Sequence, residues 1–213
     1  MHFIDLSHNI ENGMPVFPGS PAVKISQFAS VDKDGFAEKE VQILNHVGTH
    51  MDAPAHMISG GQHLDQMNIN DFSGKAIVIS FAHEDLEDLE QDDYLGQFES
   101  EIRDVDFVLL HTSWSKKWGE ESYFSEYPAL DEKGAKYLAG FRLKGVGIDA
   151  ISIDMHNSQK YEAHHELLSN NMVIIENLRG LDQLRADHFH FFAFPLPLSN
   201  ADGAPVRAVA SYI

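Results

Sequence analysis

Four short apolar runs constrain the fold more than any other feature of this chain. They are Ala76-Ile77-Val78-Ile79-Ser80-Phe81, Val105 to Leu110, Val146-Gly147-Ile148-Asp149 and Met172-Val173-Ile174-Ile175. Each has strand length and is rich in Val, Ile or Leu. A continuous apolar run of that kind reads as a buried strand, the first of them covered on both faces. The intervals between them carry helical patterns. Asp131 reads as the N-cap of a helix reaching about Ala139, and Tyr161 to Ser169 as a second helix that breaks at Asn170-Asn171. From His83 to Glu101 the chain is strongly acidic (Glu87 and Asp88 included), with a partial stripe of Leu86, Leu89, Leu95, Phe98 and Ile102, the pattern of a solvated helical or loop face. Phe3 to Leu6, Val23 to Ala29, Ala37 to Asn45 and Val206 to Ile213 read as further strands. Phe189 to Leu198, with Pro195 and Pro197, reads as an edge strand or extended arm. Asp32-Lys33-Asp34-Gly35 and Ala201 to Pro205 read as turns. No repeat, linker or low-complexity segment interrupts the series, so the expectation is an α/β fold in a single domain over 1–213.

A chain of 213 residues can bury a core without staples. Its formal net charge of −18 argues against nucleic acid or an anionic membrane surface as a partner. No apolar stretch approaches the ~18 residues that suggest a membrane span, and Met1 to Leu6 lacks the basic start of a signal peptide. The default expectation is a cytoplasmic protein. Cysteine is absent, which removes disulfides, thiol nucleophiles and thiolate ligands. Any metal must then be held by His, Asp and Glu.

Those residue types concentrate in His46-Val47-Gly48-Thr49-His50-Met51-Asp52-Ala53-Pro54-Ala55-His56. Gly48, Pro54 and the β-branched Val47 and Thr49 argue against a helix. On an extended chain side chains alternate with period two, so His46, His50, Asp52 and His56 face one way, with Gly48 leaving space between the first two imidazoles. Pro54 ends any ladder and leaves the direction of His56 the least determined. Imidazole nitrogen and carboxylate oxygen suit a catalytic divalent metal. A polar surface loop is the competing reading of the same spacing.

Two later residues can join this stretch. Glu176 directly follows the Met172–Ile175 run, where a buried carboxylate needs a partner; the alternative is that it emerges at the surface as the strand ends. From His164 the helix travels about 8 Å and the following strand returns about 15 Å, so Glu176 can come back near His164. The rigid Pro15-Val16-Phe17-Pro18-Gly19 stretch offers an apolar pair that would form a pocket wall or simply pack on the core. The Ser152-Ile153-Asp154 loop lies where open α/β sheets place ligands. Trp114, Trp118, Tyr123 and Phe124 make an aromatic loop that could border a site, and His63 and Asp65 read as an exposed pair.

The eleven-residue stretch resembles the H-x-G-T-H-x-D-x-P-x-H signature of a metal-dependent cyclase family that includes bacterial kynurenine formamidase and isatin hydrolase. Pro18-Gly19, Gly147-Ile148-Asp149, Ser152-Ile153-Asp154, and His164 with Glu176-Asn177-Leu178 stand at matching intervals, so the resemblance covers nearly the whole chain. It implies a swivelling β/β/α fold, assembled as a homodimer or homotetramer. It implies His46, His50 and Asp52 as ligands of a first metal, Asp52 bridging to a second held by His164, Glu176 touching one or both, and His56 as acid/base. One or two zinc ions, or manganese, are the implied cofactors. His165, beside His164, is set aside on the interval to Glu176. Phe17 matches a substrate-wall position, but it and Ser20 stand where kynurenine formamidases tend to carry a tryptophan and an acidic residue. That departure puts the substrate, not the metal chemistry, in question.

The expected reaction is hydrolysis of a small aryl formamide by metal-activated water, with a cyclic amide, lactone or small ester as the alternative substrate. A metal- or ligand-binding protein without catalysis is the rival from another class. It predicts that His56→Ala changes neither ligand affinity nor any activity.

Overall fold

A computed structural model of the protein describes residues 2–86, 89–184 and 188–212. Of the expected elements, Glu87 and Asp88 of the acidic run and Ile213 of the last strand lie outside these residues. Among the described residues there are ten strands: β1 (His2–Asp5), β2 (Lys24–Ala29), β3 (Glu38–Gln42), β4 (His50–Asp52), β5 (Ser73–Ser80), β6 (Phe107–His111), β7 (Gly145–Ile148), β8 (Val173–Glu176), β9 (Phe189–Pro195) and β10 (Gly203–Tyr212). The helices are α1 (Val31–Asp34), α2 (Gln91–Gly96), α3 (Glu99–Ile102), α4 (Glu132–Ala139) and α5 (Glu162–Ser169).

The four apolar runs become β5, β6, β7 and β8, paired in parallel in that order. The sheet does not stay open. β8 pairs with β4, β4 with β10, β10 with β9, and β9 with β5, all antiparallel, so seven strands close into a barrel. β1 adds to the free part of β10's edge. The long phenylalanine-rich segment therefore differs from the edge-strand reading: β9 is paired on both sides. Its prolines permit this because Pro195 is the strand's last residue and Pro197 lies beyond it.

Period two divides each central strand between two apolar environments. Phe107 and Leu109 of β6 fill the barrel with Met51, Ile175, Phe189 and Phe191. Val108 and Leu110 face outward and pack with Ile77, Ile79, Val146, Ile148 and Ile174 under the helical layer, including Leu138 of α4 and Leu167 of α5. Covering both faces explains why these strands read as continuous apolar runs. Asp131 caps α4 as its spacing predicts, its Oδ1 accepting from the Gly134 amide at 2.8 Å. The Asp32–Gly35 turn is instead a single helical turn, α1, closed by Gly35 at φ +80°. β2 and β3 form a separate two-stranded sheet.

Candidate metal centre

Only three residues of the histidine-rich stretch are strand. β4 carries His50 and Asp52 on one face and turns Met51 into the barrel. Its register sets His50 opposite Glu176 on β8 and Asp52 opposite Gly203 on β10. The sheet thus supplies the return of Glu176 that chain lengths allow, and Glu176 is 5% exposed rather than surfacing.

His46 and His56 reach the site by another route than the continuous extended segment. Gly48 sits at φ +62°, a left-handed conformation that reverses the chain before β4 and brings His46 back towards Asp52. A side chain there would also meet Met14 Cε at 3.0 Å, so Gly48 supplies a turn rather than open space between imidazoles. After β4, Pro54–His56 forms a 3-10 turn. It brings the His56 ring over His46, with centroids 4.0 Å apart and 34° between planes.

Each inner histidine has one ring nitrogen tied away from the centre. His50 Nδ1 donates to the Gly48 carbonyl at 2.9 Å, leaving Nε2 3.3 Å from Asp52 Oδ1 and 3.4 Å from Glu176 Oε2. His164 Nδ1 donates to Asp154 Oδ2 at 2.5 Å, leaving Nε2 3.6 Å from Asp52 Oδ2 and 3.4 Å from Glu176 Oε1. His46 lies between two carboxylates, Nδ1 2.6 Å from Asp52 Oδ1 and Nε2 3.1 Å from Asp202 Oδ2. Glu176 Oε1 accepts from the Ile153 amide at 2.8 Å. Asp52 Oδ2 is buried and has no hydrogen-bond partner.

This donor set fits a divalent cation. Two ligands about 2.0–2.1 Å from one ion at a tetrahedral angle stand about 3.3–3.4 Å apart, close to the spacings here. The orphaned Asp52 oxygen, excluded from water, is costly unless a cation meets it. Two nearest-donor groups share Asp52: His46, Asp52 and His56, and His50, Asp52 and Glu176. Were the centre stripped of any cation, protons would take its part. Burial pushes His50 down, but Asp52 and Glu176 outweigh it and raise it to about 9. Burial likewise opposes His164, which Asp154, Asp52 and Glu176 raise to about 10. Burial lifts Glu176 above the ordinary carboxylate range and the nearby Asp52 lifts it further. His56 is lowered, by burial first, so it is neutral near pH 7.

The centre forms the floor of a pocket of about 290 Å³. Its walls are apolar and include Val16, Phe17, Leu44, Met57, Ile151 and Tyr161, while His46, His50, His56, His164 and Glu176 face it from below. Phe17 therefore belongs to a pocket wall. His165 is exposed on the other side of α5 and His164 points inward. His63 and Asp65 lie outside the site. The aromatic loop stands behind it rather than along it: Tyr123 donates to Asn177 Oδ1 at 2.7 Å, and Asn177 Nδ2 donates to the same Gly48 carbonyl that orients His50, at 3.0 Å.

Sequence pattern assigns no role to Asp202 or Asn177 and places Asp154 only in the Ser152-Ile153-Asp154 loop at a strand's end. Asp154 had a usable signal, ten residues before His164 at a strand's end. Asp202, in a turn 146 residues beyond His56, had none beyond its Asp-Gly turn chemistry.

The family described as "Putative cyclase" matches residues 4–155 of this chain. The kynurenine formamidase of Geobacillus thermodenitrificans is 31% identical over 208 residues, covering 97% of this chain and 95% of the relative. The chain belongs to the cyclase family. An isatin hydrolase bound to the product analogue thioisatinate superposes with a TM-score of 0.87 at 26% identity, over 98% of this chain and 91% of that one. A structure described as a predicted metal-dependent hydrolase from Bacillus stearothermophilus gives 0.80 at 30% identity, over 98% and 97%. This cyclase-family protein is accordingly a metal-dependent hydrolase acting on a small molecule. His164, Glu176 and Asp202 lie beyond the 4–155 match, and the relatives above extend over them.

Proposed function

We propose that this hydrolase cleaves the C–N bond of a small aryl formamide, with His46, His50, Asp52, His164 and Glu176 holding one or two divalent ions, zinc or alternatively manganese. The observation that carries the reading is the convergence of these five side chains beneath an apolar pocket, with His56 beside them. A cation there would polarise the substrate carbonyl and lower the pKa of water. The remaining work falls to the chain. Phe17, Leu44 and Ile151 exclude water from one face of the pocket and pack against an aryl ring. His50 and His164 are pre-oriented by Gly48 and Asp154, so the donors need no rearrangement. His56, neutral at its site, takes a proton from the attacking water; the oxygen bonds to the carbonyl carbon, the C–N bond breaks, and His56 returns the proton to the leaving nitrogen.

A second reading changes the substrate to a cyclic amide, lactone or small ester. The likeness to an isatin hydrolase, with a TM-score of 0.87 over 98% of this chain, supports it. Turnover of N-formylkynurenine, isatin and simple aryl esters by metal-loaded protein separates the two. Only background turnover of N-formylkynurenine would sink the formamidase reading.

We place the working enzyme as one domain over 1–213 in a homodimer or homotetramer. The β2–β3 hairpin supports a second copy: two strands alone are marginally stable in water, yet Phe28, Val31, Phe36 and Val41 of this arm are exposed. Light scattering after gel filtration checks it, a monomer being the contrary result. Among the described residues no helix is long and apolar enough to cross a membrane. A cytoplasmic location is our reading, with cell fractionation as its check.

A further inference from the structure

We propose that Asp202 is the positioning residue of this site, a single carboxylate oxygen that sets the proton-bearing nitrogen of both the ligand His46 and the acid/base His56. The inference rests on the role given to His56 above. Asp202 Oδ2 lies 3.1 Å from His46 Nε2 and 3.3 Å from His56 Nδ1. A carboxylate only accepts, so both of those nitrogens must carry the hydrogen. His46 Nδ1 faces a second carboxylate, Asp52 Oδ1 at 2.6 Å, so it too carries a hydrogen unless a cation takes its lone pair; Asp202 keeps Nε2 protonated in either case. His56 is left with its lone pair on Nε2, the nitrogen free to meet water.

The surroundings are built to hold that oxygen still. Asn45 Nδ2 donates to the other oxygen, Oδ1, at 2.5 Å, which fixes the rotation of the carboxylate. The Asp202 carbonyl accepts from the Ala53 amide at 2.8 Å, tying the turn to the segment between Asp52 and His56. The next residue has to be small. A Cβ on Gly203 would lie 2.3 Å from His46 Cε1, so glycine alone lets the imidazole lie against this turn. The outer acceptors then form a set, with Gly48 for His50, Asp154 for His164 and Asp202 for His46. Asp202 differs in serving the proton carrier as well.

Asp202→Asn reverses the instruction with little change of shape. Asn45 still donates to the position of Oδ1 and selects the amide oxygen there, so the NH2 group faces the two rings. His56 must then accept, which moves its proton to Nε2 and removes its lone pair from the reacting side, whereas His46, its Nδ1 lone pair given to the metal, keeps Nε2–H and loses its acceptor. The test uses zinc-loaded full-length protein with 15N-labelled histidine. Wild-type His56 is expected as the Nδ1–H tautomer and D202N as the Nε2–H tautomer. Against N-formylkynurenine and isatin, kcat of D202N is expected to fall about 10–100-fold with KM unchanged. Asp202→Ala, which removes the acceptor without supplying a donor, should give mixed tautomers and a smaller loss. Wild-type kcat, or an unchanged His56 tautomer in D202N, overturns the proposal. His56→Ala separates the two layers. If it is inactive while D202N behaves as wild type, only the role of Asp202 falls. If it keeps wild-type turnover, the acid/base reading falls first and this proposal with it.

Discussion

Gly203→Ala adds one methyl group and should disable the site. The new Cβ would lie 2.3 Å from His46 Cε1, 2.7 Å from Nε2 and 2.8 Å from Nδ1. Carbon atoms pack at about 3.5–4.0 Å, so the imidazole is short of room by roughly 1.2 Å. Three ring atoms are crowded together, so rotation about one bond does not relieve the contact and the ring must translate. Gly203 is absent from the positive-φ positions, which means that alanine adds no backbone strain and the effect is steric. A displacement of about 1 Å in a catalytic constellation costs on the order of 100-fold, and we expect that loss in kcat/KM. Overpacking costs about 1–3 kcal/mol, and each kcal/mol shifts Tm by about 2–4 °C in a chain of this size. The assay pairs turnover of N-formylkynurenine and isatin with metal content after desalting and a thermal melt. G203A with wild-type metal content and kcat/KM would refute the placement of His46.

The other expectations are read in separate experiments. Asp154→Ala frees the His164 ring and removes the acceptor for the Ala163 and His164 amides, so metal affinity should drop about 10–100-fold; titration with a competing chelator reads it, and unchanged affinity contradicts the role. Phe17→Ala should raise KM roughly tenfold and leave kcat alone, since a wall contact acts equally on bound substrate and transition state; a matching fall in kcat would place Phe17 in the chemistry instead. In metal-stripped protein His50 and His164 have raised values, about 9 and about 10. Their stabilisation is complete below the unfolded value near 6.5 and is lost progressively up to about pH 10, so Tm of the stripped protein should fall over that range and recover on adding metal. A flat profile would show that protons do not stand in for a cation. His8 is depressed to about 4, by burial first and then Arg179, and stacks on Trp118 at 3.8 Å. Its contribution is present above pH 6.5 and lost as pH falls towards 4, so His8→Phe should keep the stack and flatten the acid limb of a Tm profile. An unaltered limb would rule His8 out as its cause.

The parts of the site legible in the sequence were those set by local periodicity or direct succession. β5 to β8 announced themselves because both faces are covered, one by the barrel interior and one by helices. His50 and Asp52 share a face through simple alternation, and Glu176 was readable because a carboxylate directly follows three β-branched residues and a methionine. What the pattern could not show depended on pairing between distant strands. Closure of the barrel needs β9 to pair with both β5 and β10, and prolines that ordinarily mark an edge hid it until their place at the strand's end was known. An extended chain would make Gly48 a gap between imidazoles, whereas its φ of +62° makes it the turn. Asp202 reaches His46 and His56 only because β10 pairs with β4, a contact across about three-quarters of the chain that no local spacing encodes.

If these buried imidazoles and carboxylates hold a divalent cation needed for hydrolysis, turnover must follow metal content. Elemental analysis of the purified protein, joined to turnover of N-formylkynurenine and isatin before chelation, after it, and after return of zinc or manganese, tests this most directly. One or two equivalents of metal, loss of turnover on stripping and recovery on reloading are expected. Full turnover by protein shown to be free of metal would contradict the requirement.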